Sequence, residues 1–129
     1  RDVKSFTASI RNRIFSFLRG LVNGDNEQAL SYLATLDDPD GAPWTSDRLR
    51  QALELYHAEH DYIRLDPDAR NARHTYVIPS ADKRSLRVQQ MLVDSNEHND
   101  WVAEFEVDLA QSRAAGEPAL RLRRIGSLE

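Results

Sequence analysis

The stretch DWVAEFEVDLAQS, residues 100–112, alternates apolar and polar side chains with a period of two. The apolar set consists of Trp101, Ala103, Phe105, Val107 and Leu109, and the intervening positions hold Val102, Glu104, Glu106 and Asp108. Successive side chains of a β-strand point to opposite faces of its sheet. The pattern therefore predicts a long strand with one buried face.

Three other segments predict strands around it: RHTYVI (73–78), SLRVQQMLVD (85–94) and ALRLRRI (119–125). SADKRS (80–85) and DSNEHND (94–100) are short enough to connect antiparallel hairpins, and SRAAGEP (112–118) is interpreted as a third connection. A further short strand is expected between the second and third helices or near YIRL (62–65).

The N-terminal half has a helical period instead. VKSFTASIRNRIFSFLRGLVNGD (3–25) places apolar residues three and four apart, at Val3, Phe6, Ile10, Ile14, Phe17, Leu18 and Leu21. Asp25 is predicted to cap a second helix that buries Ala29, Leu30, Leu33 and Leu36, and Thr45 a third that ends near His60. Helices followed by strands indicate an α+β fold, with N-terminal helices packed on a curved antiparallel sheet. This order resembles the nuclear-transport-factor-2-like (cystatin-like) cone.

Composition excludes several classes of protein. The chain has 129 residues, a formal net charge of −4 and no cysteine. Disulfides and thiolate chemistry are therefore absent, and the charge argues against a basic surface covering the whole molecule. No apolar run approaches the roughly 18 residues of a membrane span, so no membrane contact is expected.

The two ends suggest a fragment. The chain starts at Arg1, and Leu128-Glu129 resembles the remnant that precedes an affinity tag. We expect residues 1–127 to form a single accessory domain excised from a longer protein, and residues 128–129 to be a tag remnant.

Basic residues around two adjacent connections are candidates for nucleic-acid contact: Arg70, Arg73, Lys83, Arg84 and Arg87, with Tyr76 available to stack on a base. A solvated surface explains the same residues. Asp66 and Asp68 can neutralise Arg70 and Arg73, which weakens the prediction for that pair.

A pocket is predicted from a second set, Tyr32, Tyr56, His98, Asp100 and Trp101, because cone folds commonly enclose a cavity and some are isomerases or dehydratases. Packing in the core explains the aromatic residues equally well. No metal site is predicted: the HAEH pair, His57 and His60, lacks the HExxH spacing, and a third ligand would have to come from His74 or His98 by folding.

Other motifs carry no chemistry. The carboxylates of Glu104, Glu106 and Asp108 share a strand face, and cross-strand pairs with Arg121 and Arg123 account for them. The glycines form no GxGxxG, P-loop or GxSxG motif. No nucleotide-hydrolysing site, catalytic residue or cofactor is therefore expected in this chain.

Three stretches, ARNARHTYVIPS, RVQQMLVDSNEHNDW and EFEVDLAQSRAAGEPALRLRRIG, resemble the C-terminal domain of unknown function that follows the helicase core of bacterial, especially actinobacterial, DEAD/DEAH-box helicases. The opening SFTASIRNRIFSFLRGL is similar to the same domain. The resemblance implies a cytoplasmic parent helicase that binds ATP and Mg²⁺ in an upstream core.

That resemblance also implies a role for the domain itself. It would be a non-catalytic accessory module that modulates the helicase core of the same chain or contributes RNA, DNA or protein contacts. A homodimer through the exposed sheet face is a further expectation, by analogy with other cone domains. The alternative is a small-molecule-binding or enzymatic cone-fold domain of the isomerase or dehydratase kind.

Overall fold

The computed structural model describes residues 3–128, so Glu129, half of the predicted tag remnant, lies outside the described residues. The chain runs through helices and strands in the order α1 (Val3–Val22), α2 (Asn26–Leu30), α3 (Ser46–His57), a 3₁₀ turn (Ala72–His74), β1 (Thr75–Pro79), β2 (Ser85–Leu92), β3 (Trp101–Asp108), α4 (Leu109–Ala115) and β4 (Ala119–Ser127).

The four strands form one antiparallel sheet in the order β1-β2-β3-β4. β3 is paired along its whole length on both sides, with β2 and with β4. Helices before a curved, open antiparallel sheet confirm the predicted α+β fold, and the arrangement is consistent with the nuclear-transport-factor-2-like cone.

Helix α1 packs across the inner face of this sheet. The rings of Phe17 and Phe105 meet edge to face, with centroids 5.5 Å apart and planes at 89°. Phe17, Phe105 and Val107 are fully buried, as the two sequence periods predicted. β3 does not bury one face alone, however, since Val102 and Glu104 on its other face are only 1% and 8% exposed. The predicted apolar stripe of α1 is wrong at its first residue, because Val3 is 78% exposed.

The first two helices form a hairpin, as predicted. The Asp25 carboxylate accepts a hydrogen bond from the Gln28 backbone N–H at 3.1 Å and caps α2. The second helix is shorter than predicted, since it ends at Leu30 and leaves Leu36 46% exposed. The third begins at its predicted cap, where the Thr45 hydroxyl accepts from Arg48 N–H at 3.0 Å.

The segment after β3 corrects the sequence prediction. Leu109 was expected to extend the strand and residues 112–118 to be a connection, but Leu109–Ala115 is helix α4. Asp108 caps it by accepting from Gln111 N–H at 2.8 Å, and Gly116 ends it with φ of 73°. The capping residues at both ends therefore decide that this segment is a helix. Leu109 continues the apolar alternation of β3 only by chance.

The extra strand expected near residues 62–65 is reduced to one isolated bridge between Ile63 and Asp94. A second isolated bridge joins Asp37 and Pro43 before α3. Each is too short to add a strand to the sheet.

The outer face of the sheet carries an acid–arginine cluster, as predicted for Glu104 and Arg123. The β3–β4 register shifts between Glu104 and Phe105, which places one extra residue, Arg123, in β4. Arg123 and Arg124 therefore both approach Glu104, with Nε atoms 3.6 and 3.5 Å from its two carboxylate oxygens. A β-bulge explains why neighbouring residues reach the same carboxylate.

The fold is expected to be sensitive to added side-chain volume at Gly20. A Cβ at this position would lie 2.9 Å from the backbone nitrogen of Ala29, where α1 and α2 touch. We expect Gly20→Val to lower the free energy of unfolding by about 1–3 kcal/mol or more through overpacking. Urea denaturation measures the loss. Arg19→Ala, at the adjacent exposed position, should stay within about 0.5 kcal/mol; equal effects of both changes would contradict the packing explanation.

Candidate functional site

The turn between β1 and β2 is held in one conformation by its own side chains. The Asp82 carboxylate accepts from the Ser80 hydroxyl at 2.7 Å and from the Arg84 backbone N–H at 3.0 Å. These contacts, the backbone bond first, lower the pKa of Asp82 below its ordinary value. The Leu109 backbone N–H donates to the Arg84 carbonyl at 3.1 Å, which joins the turn to the start of α4.

This junction brings cations from two elements together. Lys83, Arg84 and Arg113 line a cavity of about 430 Å³ at the end of the hairpin, with Asp108 as its acidic member. One oxygen of Asp108 already accepts the capping hydrogen bond of α4. The cavity is therefore lined by three cationic groups and one engaged carboxylate.

The outer face of the same hairpin adds an aromatic and an aliphatic surface. Tyr76 is 51% exposed and Ile78 48% exposed. Ile78 lies opposite Arg87 in the β1–β2 register, so their side chains share a face with Tyr76. We call Tyr76, Lys83, Arg84, Arg87 and Arg113 the hairpin patch.

The cations of the hairpin patch differ from most other arginines in being unpaired. Across residues 3–128, Lys83, Arg84, Arg87 and Arg113 form no salt bridge, although Arg87 lies opposite Glu106 in the sheet. Salt bridges engage arginines elsewhere: Arg13, Arg48, Arg50, Arg64, Arg73, Arg123 and Arg124. Among residues 3–128, Arg11, Arg19, Arg70 and Arg121 also form no salt bridge, so the hairpin patch is distinguished by gathering several such cations at one end of the hairpin.

Two of the predicted nucleic-acid residues lie away from this turn, in the loop before β1. Arg73 pairs with Asp68 at 3.1 Å, as predicted. Asp66 does not neutralise Arg70; it pairs with Arg64 at 2.8 Å, and this contact lowers the pKa of Asp66. Arg70 instead donates to the Leu65 carbonyl at 2.9 Å. Both side chains have intramolecular partners.

Four of the five predicted pocket residues meet at the other end of the sheet, around His60. The Tyr56 ring contacts the rings of His60 and Trp101 at centroid distances of 5.2 and 5.4 Å. The His98 ring lies 5.5 Å from that of His60. Tyr32 is not part of this group, since it stacks under Arg13 on α1, with 5.6 Å from the guanidinium carbon to the ring centroid.

The His60 ring lies between two carboxylates. Its Nε2 is 2.8 Å from Asp100 Oδ1, and its Nδ1 is 3.6 Å from Asp94 Oδ2. His98 Nδ1 is 3.8 Å from the same Asp94 oxygen. We call His60, Asp94, His98 and Asp100 the histidine cluster.

Asp94 organises the loop that carries this cluster. Its two oxygens accept hydrogen bonds from the backbone N–H groups of Asn96, His98 and Asn99, at 3.1, 3.1 and 2.8 Å. Burial alone would raise the pKa of Asp94, but the amides of Asn99 and His98 and the neighbouring His60 outweigh it, so the pKa is lowered. Asp94 is therefore a buried carboxylate whose charge is stabilised by backbone donors.

Tyr56 is a structural donor in this arrangement. Its hydroxyl donates to the Tyr62 carbonyl at 3.0 Å. Burial, with the nearby carboxylates of Asp94 and Asp100, raises the pKa of Tyr56. A tyrosine held protonated in this way does not act as a base near neutral pH.

A third region is an apolar cavity of about 400 Å³ beside the hairpin patch. Phe6 from α1, Val77 from β1, Leu86 from β2 and Leu109 from α4 line it, with Arg113 at its polar side. Among the described residues lining it there is no carboxylate or histidine. The cavity can hold an apolar group but supplies no acid or base.

Residues 1–125 match the family described as "Domain of unknown function (DUF3516)". The chain belongs to this family. No curated protein and no solved structure matches the chain. The DUF3516 description assigns no catalytic activity. Among the described helices of this DUF3516 domain, none combines the length and apolar character needed to cross a membrane.

Three residues of these sites in the DUF3516 domain, His60, Asp94 and Arg113, were missing from the sequence-based sets, although His60 was considered in the HAEH pair. Arg113 was overlooked because α4 was interpreted as a connection, although Asp108 and Gly116 mark both ends of that helix. Asp94 was noted in its loop but not selected, and no local pattern shows that it faces His60, more than 30 residues earlier.

The stabilising role of Asp94 in the DUF3516 domain can be measured directly. We expect Asp94→Ala to lower the free energy of unfolding by about 1–3 kcal/mol, because three partly buried backbone amides lose their charged acceptor. The lowered pKa means that this stability is present above the ordinary Asp value and is lost as pH falls through the folded-state value. Chemical denaturation should therefore show the two proteins converging below about pH 4. Asp61→Ala, at an exposed position, is the control; a difference that persists unchanged at low pH would contradict the prediction.

Proposed function

We propose that this chain is a non-catalytic accessory domain of a bacterial DEAD/DEAH-box helicase, placed C-terminal to the helicase core, and that it contributes nucleic-acid contacts through the hairpin patch. ATP and Mg²⁺ would bind the core, which the proposal places in the same polypeptide and in the cytoplasm. Support for the helicase context comes from the likeness of ARNARHTYVIPS, RVQQMLVDSNEHNDW and the C-terminal stretch to such domains.

The observation that carries the nucleic-acid role is a group of cations without salt bridges among the described residues, at the end of a hairpin whose outer face exposes a tyrosine. Lys83, Arg84 and Arg113 share one cavity, and Arg87 and Tyr76 lie on the outer face of the same hairpin. Proteins that bind single strands without sequence preference combine cations that follow the phosphates with aromatic rings that stack on bases. The patch contains both kinds of group.

The acidic balance of the chain limits this role. With a net charge of −4, the domain as a whole repels a polyanion. Attraction is then confined to the region where cations lack intramolecular partners. We expect modest affinity by the isolated domain, which suits a module that guides a strand toward or away from a motor rather than one that holds it alone.

The apolar cavity supports a second candidate, a small-molecule-binding cone domain. Its volume of about 400 Å³ lies within the range of ligand pockets, roughly 300–1,000 Å³. An enzymatic version has less support, because the residues described around the cavity include no carboxylate or histidine. The helicase proposal does not require this cavity to be filled.

Binding of single-stranded RNA tests the hairpin patch. We expect Lys83→Ala/Arg84→Ala to weaken binding of a labelled oligonucleotide several-fold, similarly for different sequences. The slope of log affinity against log salt should become shallower by about 1.4, since each lost single-strand phosphate contact removes about 0.7. Fluorescence anisotropy over a salt series measures both quantities.

The matched control is Arg70→Ala/Arg73→Ala, which removes the same charge from side chains that already have intramolecular partners. This variant should keep most of the affinity and nearly the full salt slope. Equal losses in the two double variants would show that only net charge matters, and no binding at low salt would exclude the nucleic-acid role.

Removing residues 1–127 from the parent protein tests the helicase context. We expect basal ATP hydrolysis to remain, because the proposed motor lies upstream, and stimulation by nucleic acid or strand unwinding to change. Coupled ATPase and unwinding assays compare the full-length and shortened proteins. A parent reading frame without helicase motifs, or identical stimulation and unwinding, would reject the proposal.

A further inference from the structure

We propose that the histidine cluster binds a late first-row divalent cation such as Zn²⁺, with His60, His98 and Asp100 as ligands and Asp94 as the residue that positions both imidazoles. This site lies at the opposite end of the sheet strands from the hairpin turn and does not depend on the helicase proposal.

The three ligand groups are close enough to share an ion. One ring nitrogen from each histidine and one carboxylate oxygen of Asp100 all lie within 4.8 Å of one another. Tetrahedral zinc with bonds of about 2.0–2.2 Å separates its ligand atoms by roughly 3.3–3.5 Å. The ligands therefore need to move by about 1 Å, and His98 can do so because its side chain is 61% exposed.

The two nitrogens of His60 face different partners in the way a metal ligand requires. Nε2 faces Asp100 at 2.8 Å, and Nδ1 faces the buried Asp94 at 3.6 Å. Histidine ligands almost always direct their second ring nitrogen to a carboxylate, carbonyl or water, which fixes the ring orientation. A cation entering between Nε2 and Asp100 would replace their hydrogen bond and leave Asp94 to hold the ring.

The loop from Asp94 to Asp100 is built before any ion arrives. Three backbone amides bind the Asp94 carboxylate, and Glu97 and Asn99 adopt left-handed conformations with φ of 54° and 52°. The Asn99 side-chain oxygen is buried with no hydrogen-bond partner. Since left-handed backbone at residues other than glycine is unfavourable, the loop maintains the positions of His98 and Asp100 at a cost.

The ligand set selects the kind of ion. Two imidazoles and one carboxylate suit zinc, nickel, copper or iron, whereas Mg²⁺ and Ca²⁺ prefer oxygen ligands. Three protein ligands leave the fourth position of a tetrahedral ion open to solvent or to a ligand group. Bound metal would join the segment after α3, through His60, to the loop before β3.

Isothermal titration of the tag-free chain with ZnCl₂ tests the site. We expect one ion per chain and a rise in thermal midpoint with Zn²⁺ but not with Mg²⁺. His98→Ala and Asp100→Asn should each weaken binding at least tenfold, and Asp94→Asn by about 10–100-fold, as for other residues that orient ligands. Co²⁺ should give the visible absorption of a low-coordinate site, lost in His98→Ala.

The control is Asp61→Asn, which removes an exposed carboxylate next to His60 and outside the ligand set, and so matches Asp100→Asn. It should keep the native affinity. If Asp100→Asn does not fold, the Zn²⁺ affinity of His98→Ala, a change at an exposed position, tests the site by itself. No Zn²⁺ binding by the native chain, or undiminished affinity in His98→Ala, would overturn the proposal.

Discussion

The edge-to-face contact between Phe17 of α1 and Phe105 of β3 is the constraint on which the rest of the domain depends. β3 is the strand with partners on both sides along its whole length, so its inner face has to be covered by a helix rather than by solvent. Replacing a buried aromatic residue by alanine typically costs about 3–5 kcal/mol. Once α1 lies across β3, the short connection after it leaves α2 beside it at Gly20, and the contact between Tyr56 and Trp101 places the end of α3 at the start of β3.

Burying polar groups at the edges of this core requires compensation, and the domain provides it in two ways. On the outer face, the bulge in β4 brings Arg123 and Arg124 to the buried Glu104 carboxylate. At the start of β3, backbone amides bind Asp94, which in turn faces His60. Buried charges persist only where hydrogen bonds or opposite charges replace water, and here each carboxylate has such partners.

The two candidate sites differ because of what their charged groups already contact. In the hairpin patch, Lys83, Arg84 and Arg113 lie close to one cavity without salt-bridge partners among the described residues, which leaves them available to phosphates. In the histidine cluster, His60 contacts two carboxylates and is nearly buried. Exposed cations favour a mobile polyanion, whereas a preorganised nitrogen and oxygen set favours a small cation.

The sequence by itself determined the fold class, because its signals are local: a period of two around Phe105, a period of 3.6 around Phe17, and caps at Asp25 and Thr45. Asp108 and Gly116 also mark the two ends of α4 in the sequence. The helix was nevertheless missed, because the apolar alternation of β3 continues to Leu109. For the candidate sites, the sequence named Lys83, Arg84, His98 and Asp100 but did not show how folding groups them.

Only the tertiary structure decided that grouping. His60 meets Asp100 from 40 positions away, because α3 ends where β3 begins. Arg113 joins Lys83 and Arg84 because α4 is hydrogen-bonded to the hairpin turn. The partners of Arg70 and Arg73, by contrast, lie five positions away, and the sequence already suggested neutralisation within this loop. Periodicity and loop pairing depend on neighbours along the chain, whereas the grouping of the site residues depends on contacts that form only when distant segments pack.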